Sequence, residues 1–254
     1  STLAKVDNQS LKERECFLCI ENLPPGQKGI LYRRNYLILC NPFPIFDKHF
    51  TVACVAHKPQ DITGSLPDLL SLTADLGPDF TVFYNGPQCG ASAPDHLHFQ
   101  ACPSGQLPIE NELDESRPPL LASDSWDIHV IERTGRGIIV VNAWNIDSAT
   151  AASKSVITAL QQEGPPAAEP LLNIIARNED GAFKIAIFPR RKFRPDCFYL
   201  EGEKRIAVSP AAVELGGLIV TPFPKDFEML DFDTVVSIFK EVSLDGASLV
   251  KLLK

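Results

Sequence analysis

The fold of this chain is decided by one stretch of its sequence, Ser92-Ala93-Pro94-Asp95-His96-Leu97-His98-Phe99-Gln100. Polar and apolar residues alternate in its second part, and this pattern predicts a β-strand over 95–102. Because successive side chains of a strand point to opposite faces, we expect His96, His98 and Gln100 to share one face. The apolar residues between them are expected to pack into the core from the other face.

The residues ahead of this strand favour a loop that can hold an anion. The stretch 85–94 contains two glycines and several small polar residues, and it follows a predicted strand at 80–84. Glycine lets a backbone approach a ligand closely, and loop amides with the side chains of Asn85 and Ser92 suit phosphate oxygens. An isolated His-x-His is also compatible with two histidines that are only hydrogen-bonded at a sheet surface.

Apolar periodicity and turn residues outline further elements on both sides of this region. A hairpin is predicted from strands at 30–40 and 49–56, joined by the turn Asn41-Pro42-Phe43-Pro44. A helix is predicted at 66–76, ended by Gly77-Pro78. The remaining predicted elements are a hairpin of 127–132 with 137–141, a helix at 150–162 ended by Gly164-Pro165-Pro166, a hairpin of 171–176 with 183–188, and a helical segment at 231–254.

A change of composition predicts that the chain has two halves. Residues 103–123 are rich in Pro, Glu, Asp, Ser and Gly, which is typical of a loop or linker. We therefore expect a first half at 1–110 that carries the histidines, a linker at 111–125 and a second half at 126–254. Both halves show the same coarse strand–helix–strand order, so we predict a duplicated unit whose second copy lacks the histidines.

Composition limits the partners and the compartment. The 254 residues carry a formal net charge of −8, which argues against a basic surface for nucleic acid or an anionic membrane. No apolar run is long enough to span a bilayer and the start does not resemble a signal peptide, so we expect a soluble, cytoplasmic protein. The seven cysteines are an odd number in a chain too large to need disulfides, which favours reduced thiols or a metal site.

The motif resembles that of the histidine-triad-like nucleotidyltransferases, which include galactose-1-phosphate uridylyltransferase, diadenosine tetraphosphate phosphorylase and the GDP-hexose phosphorylases. The matching residues are Asn85, Gly90-Ala91-Ser92 and His96-Leu97-His98-Phe99-Gln100. A final Gln in place of a third His is similar to the transferase and phosphorylase branch. The histidine run is most similar to the GDP-hexose enzymes and Gly90-Ala91-Ser92 to the diadenosine tetraphosphate enzymes, so the substrate stays open. The resemblance implies an α+β fold, an antiparallel sheet with packed helices.

The resemblance also implies roles for these residues. His98 would form a covalent nucleotidyl intermediate, Gln100 would hydrogen-bond the α-phosphate, and the loop residues Asn85, Gly90, Ala91 and Ser92 would bind substrate. A neutral imidazole is nucleophilic near pH 7, and a covalent step divides one displacement into two. We expect the backbone carbonyl of His96 to fix the tautomer of His98. Three residues separate the serine from the first histidine where the diadenosine tetraphosphate pattern has two, which leaves the register of the serine open.

A second constellation suggests a metal. Cys16-Phe17-Leu18-Cys19 is a Cys-x-x-Cys pair, which can supply half of a tetrahedral zinc shell. The resemblance implies that His57 and His96 complete a structural zinc site with this pair. Two buried small residues or a redox couple are the alternatives.

Two further groups are candidates for substrate binding. The stretch containing Phe43 and Phe46 is similar to one that passes the nucleoside in the phosphorylases, so Phe43 or Phe46 is expected to cover the base. Packing of these rings in the core is the alternative. Arg190, Arg191 and Lys192 are the dense basic cluster of an acidic chain, and guanidinium groups suit phosphate, so we expect them to bind the leaving phosphate or sugar phosphate. A solvated surface run is the alternative for this cluster.

These expectations define a predicted activity. The chain is expected to transfer a nucleotide from a nucleotide sugar or dinucleoside polyphosphate to phosphate or a sugar phosphate. Hydrolysis of dinucleoside polyphosphates, with water as acceptor, and a non-catalytic nucleotide-binding module are the alternatives. Magnesium can assist this chemistry but is not required by it, and two halves in one chain are expected to make a monomer sufficient.

Overall fold

The computed structural model describes residues 8–162 and 169–254, which form one continuous ten-stranded antiparallel sheet with helices on both faces. The strands are β1 (Gly29–Tyr32), β2 (Tyr36–Cys40), β3 (Phe50–Cys54), β4 (Phe80–Asn85), β5 (His98–Pro103), β6 (Leu121–Ala122), β7 (Trp126–Arg133), β8 (Arg136–Ala143), β9 (Leu172–Glu179) and β10 (Ala182–Pro189). The α-helices are α1 (Asn8–Glu13), α2 (Leu66–Leu76), α3 (Ile109–Leu113), α4 (Ile146–Gln162), α5 (Ala212–Leu215), α6 (Pro224–Met229), α7 (Phe232–Val242) and α8 (Gly246–Leu253). No helix among these residues is long and apolar enough to cross a bilayer.

The five strands of each half occur in the same order. Counted from the outer edge inwards, the first half runs β1-β2-β3-β5-β4 and the second runs β6-β7-β8-β10-β9. The halves meet where β4 pairs with β9, from Val82↔Ala176 to Asn85↔Asn173. In each half a long helix, α2 or α4, connects the third strand to the fourth. A common origin of the halves, and their boundaries at residues 110 and 126, stay predictions.

The two faces of the sheet are covered differently. Helices α2, α4 and α8 pack on one face along both halves, and each fully buried aliphatic or aromatic side chain there stabilises the fold by about 1.5–3 kcal/mol. Helices α3, α5 and α7 pack on the other face, over the second half and as far as Phe83 and Cys102 of the first. Buried residues of the first core include Leu69, Leu70, Phe99, Val156, Ile174, Ile185 and Leu249. Those of the second include Ile109, Val140, Ile175, Phe188, Val213 and Phe239.

Helix α2 is confirmed with the predicted bounds. Its residues Leu66, Leu69 and Leu70 recur at helical spacing and are buried against the sheet. Gly77 ends the helix and Pro78 follows, because proline cannot continue the hydrogen-bond pattern. The hairpins β7–β8 and β9–β10 and the closing helices α7 and α8 are confirmed as well.

Two predicted strands were wrong in their extent. The run 30–40 is two strands, β1 and β2, because Arg33 and Arg34 form a turn with φ of 43° and 63°. These left-handed conformations are unusual for arginine, so the sequence gives no turn signal there. In the run 95–102 the strand begins only at His98. The residues before it, including His96, form a turn and the short connection from this turn to the strand.

Other differences concern helices. Helix α4 begins at Ile146, four residues before the predicted start, and its predicted stop at Gly164-Pro165-Pro166 lies outside the described residues. The polar segment 103–123 contains α3, whose Ile109 and Leu113 are buried in the second core. A few well-placed apolar side chains are therefore enough to bring a segment of loop-like composition into the core.

Candidate active site

The histidine strand is held between two neighbours, and this decides which way its side chains point. In β5, His98 lies opposite Ala53 and Gln100 lies opposite Thr51 on β3. The intervening Phe99 is 1% exposed and belongs to the core covered by α2. His98 and Gln100 therefore lie on the opposite face, which confirms the predicted alternation for these residues.

The imidazole of His98 has a fixed tautomer. Its Nδ1 donates a hydrogen bond to the backbone carbonyl of His96 at 2.8 Å, as expected from the sequence. Nε2 consequently carries a lone pair, and it makes no hydrogen bond within residues 8–162 and 169–254. Burial lowers the pKa of His98 to about 4, so the ring is neutral at pH 7. A neutral imidazole with a free Nε2 can act as a nucleophile.

The side-chain amide of Gln100 is oriented by His49. The backbone amide of Ile45 donates to Nδ1 of His49 at 3.1 Å, so the proton of His49 is on Nε2. That Nε2 donates to Oε1 of Gln100 at 2.8 Å. The amide nitrogen of Gln100 then remains as a donor that bonds to no protein acceptor in the described chain. His49 lies outside the histidine motif, and nothing in its local sequence indicated this contact with Gln100.

A buried glutamine that the sequence did not single out contacts the backbone of His98. Gln60 is 3% exposed, and its Oε1 accepts a hydrogen bond from the His98 amide at 2.8 Å. Its Nε2 donates to the carbonyl oxygens of Asn85 and His98 at 2.9 and 3.0 Å. Contacts across 25 and 38 residues leave no signal in local sequence patterns.

The loop 85–94 is fixed to the second half of the protein. Oδ1 of Asn85 accepts hydrogen bonds from Asn173 and from the backbone amide of Ala212, both at 2.8 Å. Gly90 has φ of 99°, and a Cβ there would lie 2.5 Å from the Cβ of Ala211, so only glycine fits. The predicted substrate residues Ala91 and Ser92 follow, buried and half-buried respectively. In this structure Asn85 anchors the loop.

The basic cluster is divided by burial. Arg190 is 4% exposed, and its guanidinium donates to Asn173 at 2.8 Å and to the carbonyl oxygens of Pro210, Val242, Lys192 and Phe193. All of its N–H groups are thereby bonded to protein, so the structure places Arg190 in a buried network and leaves it no donor for a ligand.

The neighbours of Arg190 are paired at the surface. Arg191 forms an ion pair with Asp245, and Lys192 with Asp196 and Glu241. Arg191 and Lys192 line a cleft of about 540 Å³ formed with α7 and the turn at Gly135. The lining of this cleft contains no residue of the histidine strand, so the structure does not bring the cluster together with His98.

Phe43 lies beside the polar residues of the site. Its side chain is 81% exposed, and its backbone amide donates to Oδ1 of Asn41 at 2.9 Å. The amide of Asn41 in turn lies 3.5 Å from Oε1 of Gln100. The segment that carries this exposed aromatic ring is thus linked through Asn41 to the Gln100 side chain.

The four predicted metal ligands converge. The ligand atoms of Cys16, Cys19, His57 and His96 all lie within 4.8 Å of one another. Nδ1 of His96 is 3.2 Å from Sγ of Cys16, and Nδ1 of His57 is 3.1 Å from Sγ of Cys19. Two thiols and two imidazoles at these separations fit a tetrahedral ion such as zinc.

Neighbouring groups determine the protonation of these ligands. Nε2 of His96 donates to the carbonyl of Cys54 at 2.7 Å, which leaves the lone pair on the Nδ1 that faces the cluster. Burial raises the pKa of Cys19 to about 11, so in the absence of a cation the thiol stays protonated. A bound cation favours the thiolate.

One of the three residues between the serine and the first histidine has a contact outside the motif. Asp95 forms an ion pair with Arg14, which stacks on the ring of Phe17. This pair joins the start of the histidine motif to the Cys16–Cys19 segment.

A known enzyme has a similar fold. Yeast Ap4A phosphorylase Apa2 in complex with AMP is similar with a TM-score of 0.59 and 17% identity, over 84% of this chain and 74% of that chain. The same enzyme in complex with Ap4A gives a TM-score of 0.57 and 14% identity, over 83% and 74%. The chain therefore shares the α+β fold of this phosphorylase.

Sequence comparison adds little to this structural likeness. A domain of unknown function, DUF4922, matches residues 1–103. This region contains all four predicted metal ligands and the histidine strand up to its last residue. No curated protein sequence matches the chain.

Proposed function

We propose that the protein is a nucleotidyltransferase of the phosphorylase type, with His98 as nucleophile. Nε2 of His98 attacks the α-phosphorus of a nucleotide sugar or dinucleoside polyphosphate, a P–N bond forms, and the P–O bond to the leaving group breaks. Phosphate or a sugar phosphate then attacks the same phosphorus, and the P–N bond breaks. The observation that carries this proposal is the buried, neutral His98 with a free Nε2 beside an oriented Gln100 amide.

The neighbouring groups supply charge stabilisation. The proton on Nδ1 of His98 stays on that nitrogen throughout and is donated to the His96 carbonyl, which stabilises the cationic ring of the covalent intermediate. The amide nitrogen of Gln100 donates to an oxygen of the α-phosphate, as do loop amides near Gly90 and the side chain of Ser92. Preorganised donors of this kind contribute roughly 3–4 kcal/mol each to the transition state.

Other residues have proposed roles outside the reacting atoms. Phe43 stacks on the base, supported by its exposure next to Asn41 and Gln100. Arg191 and Lys192 are not included in the proposed site, because the cleft that they line contains no residue of the histidine strand. Zinc bound by Cys16, Cys19, His57 and His96 supports the fold around His96. We further propose that the enzyme is soluble and cytoplasmic and acts as a monomer.

The decisive experiment is detection of the covalent nucleotide. Wild-type protein and His98→Asn are incubated with ADP-, GDP- and UDP-sugars and with diadenosine tetraphosphate, without acceptor, and analysed by intact mass spectrometry. We expect wild type to gain the mass of one nucleoside monophosphate group with at least one donor, and His98→Asn to gain none. His129→Asn, in the second half, is the matched control and should keep the adduct.

The second stage separates the alternatives. Addition of phosphate or a sugar phosphate should discharge the adduct into a nucleoside diphosphate or a new nucleotide sugar. Equally fast release of the nucleoside monophosphate without either acceptor would show a hydrolase. Donor binding in a thermal shift assay with no adduct from any donor would show a non-catalytic nucleotide-binding module.

A further inference from the structure

The pairing between β4 and β5 stops just before the nucleophile. The two strands pair from Phe80↔Pro103 to Phe83↔Gln100, and two more steps of this register would place Asn85 opposite His98. That pair is absent from the ladder in the described chain, and the side chain of Gln60 lies between the two backbones instead. The sheet is thus opened at His98 by a glutamine that arrives from the segment after β3.

The Gln60 amide replaces a missing peptide group. Its oxygen accepts from the His98 amide, and its nitrogen donates to the carbonyl oxygens of His98 and Asn85. Its one acceptor and two donors thus bind three of the four backbone groups that this pair would otherwise present to each other. Glutamate has no donor for the two carbonyls, and asparagine is shorter by one methylene group.

The same segment contacts the chain on both sides of His96. The backbone amide of Gln60 donates to the Pro94 carbonyl at 3.0 Å, and the Lys58 carbonyl accepts from Leu97 at 2.7 Å. The ring of His98 is held separately, through Nδ1 and the His96 carbonyl. The backbone and the ring of the nucleophile are therefore fixed by different partners, and Gln60 is the side chain that fixes the backbone.

We propose that Gln60 is a positioning residue that sets the place of Nε2 of His98 relative to the bound α-phosphorus. It touches neither substrate nor the reacting atoms and acts through the His98 backbone. The inference rests on the proposed function, because it concerns the rate at which the P–N bond forms and the P–O bond breaks. A misplacement of about 1 Å at a reacting atom costs on the order of a hundredfold in rate.

The test compares the rate of adduct formation with nucleotide affinity. Gln60→Glu and Gln60→Met are measured in single-turnover reactions, with Gln162→Glu, at an exposed glutamine, as the matched control. We expect adduct formation to slow by about a hundredfold in both Gln60 variants. The dissociation constant of the donor, measured in a His98→Asn background, should change by less than about threefold, and bound metal should stay constant.

A second readout separates positioning from general damage. In His98→Gly, added imidazole can replace the side chain, and a free imidazole is not held by the Gln60 amide. Gln60→Glu should therefore slow wild type strongly and the imidazole-supported reaction of His98→Gly little. Equal slowing in both backgrounds, unchanged adduct rates, or loss of folding in both Gln60 variants would overturn the positioning role. Absence of any adduct in wild type would instead refute the proposed function.

Discussion

The two halves of the sheet have the same strand order, but one face of the sheet is apolar and covered by helices in the second half and carries polar side chains in the first. In the second half, Val140, Ile175 and Phe188 lie on this face and are covered by α3, α5 and α7. In the first half, the same face carries His98 and Gln100. Equivalent backbone frames can thus serve as a core or as a site, depending on whether side chains of a few strands are apolar or polar.

The difference also explains how the site is held. Without a covering helix layer like that of the second half, the polar face depends on hydrogen bonds and on the Cys16–Cys19 segment packed near Ala53. The second half contributes through Asn173 and Ala212, which bind the Asn85 side chain. The first half supplies the residues of the proposed site, and the second half supplies part of their support.

Removal of a metal ligand should have the largest effect on stability. Only ligands in the first half should show this effect. We expect Cys16→Ser to abolish stoichiometric metal and to cost about 5 kcal/mol, which lowers the melting temperature by roughly 10–20 °C. Metal content by mass spectrometry and thermal unfolding measure this. Cys197→Ser, in the second half, should change neither quantity. Full metal retention in Cys16→Ser would exclude the four-ligand site.

Arg190 provides the next largest effect, in the network that joins the halves. Arg190→Met removes a donor from five acceptors in this network, and we expect the free energy of unfolding to fall by about 4 kcal/mol. Arg191→Met breaks an exposed ion pair and should cost less than about 1 kcal/mol. Urea unfolding of both variants tests this, and similar losses would contradict the division of the cluster by burial.

A carboxyl at the junction should make stability depend on pH. Glu169 accepts hydrogen bonds from Tyr84 at 2.8 Å and from the Ile62 amide at 2.6 Å, and burial raises its pKa from 4.5 to about 8. Because the folded pKa is the higher one, its contribution is complete below pH 4.5 and is lost as pH rises through 8. We expect unfolding free energy to fall by about 3 kcal/mol between pH 5 and 8.

The matched variant for this effect is Glu169→Gln, which cannot ionise. Its denaturant midpoint should vary less between pH 5 and 8 than that of wild type. A wild-type and variant pair with the same pH slope would assign the dependence to other groups.

The smallest predicted effect is on the rate of adduct formation, and it is tested by substituting one histidine in each half. His49→Phe removes the donor to Oε1 of Gln100 and frees the amide to turn, so adduct formation should slow about tenfold, or 1.4 kcal/mol. His129→Phe removes contacts to Asp127 and Pro118 and should leave this rate unchanged. Equal rates in the two variants would remove His49 from the site.

The sequence predicted those parts of the molecule that local chemistry determines. Helix α2 follows from apolar spacing, and the metal cluster follows from a Cys-x-x-Cys pair with two histidines placed by resemblance. The turn at Arg33 and Arg34 was missed because its left-handed conformations occur without glycine. Gln60 was missed because its bonds join backbone groups that are distant in sequence.

Arg190 shows the opposite error. A cluster of basic residues is typical of an anion site, but whether an arginine faces a ligand or its own backbone depends on burial. Burial is set here by Asn173, Pro210 and Val242, which lie on three different segments of the second half. Long-range packing of this kind is not encoded in the composition of one segment.

The continuous pairing of β4 with β9 has a consequence for concentration. In an assembly of two separate chains, such a junction would open on dilution, and every substitution would occur twice. Here both strands belong to one chain, so their effective concentration is set by the connection between them and not by the amount of protein. One half can consequently carry polar reactive groups while the other keeps an apolar face, and the junction persists in a dilute solution.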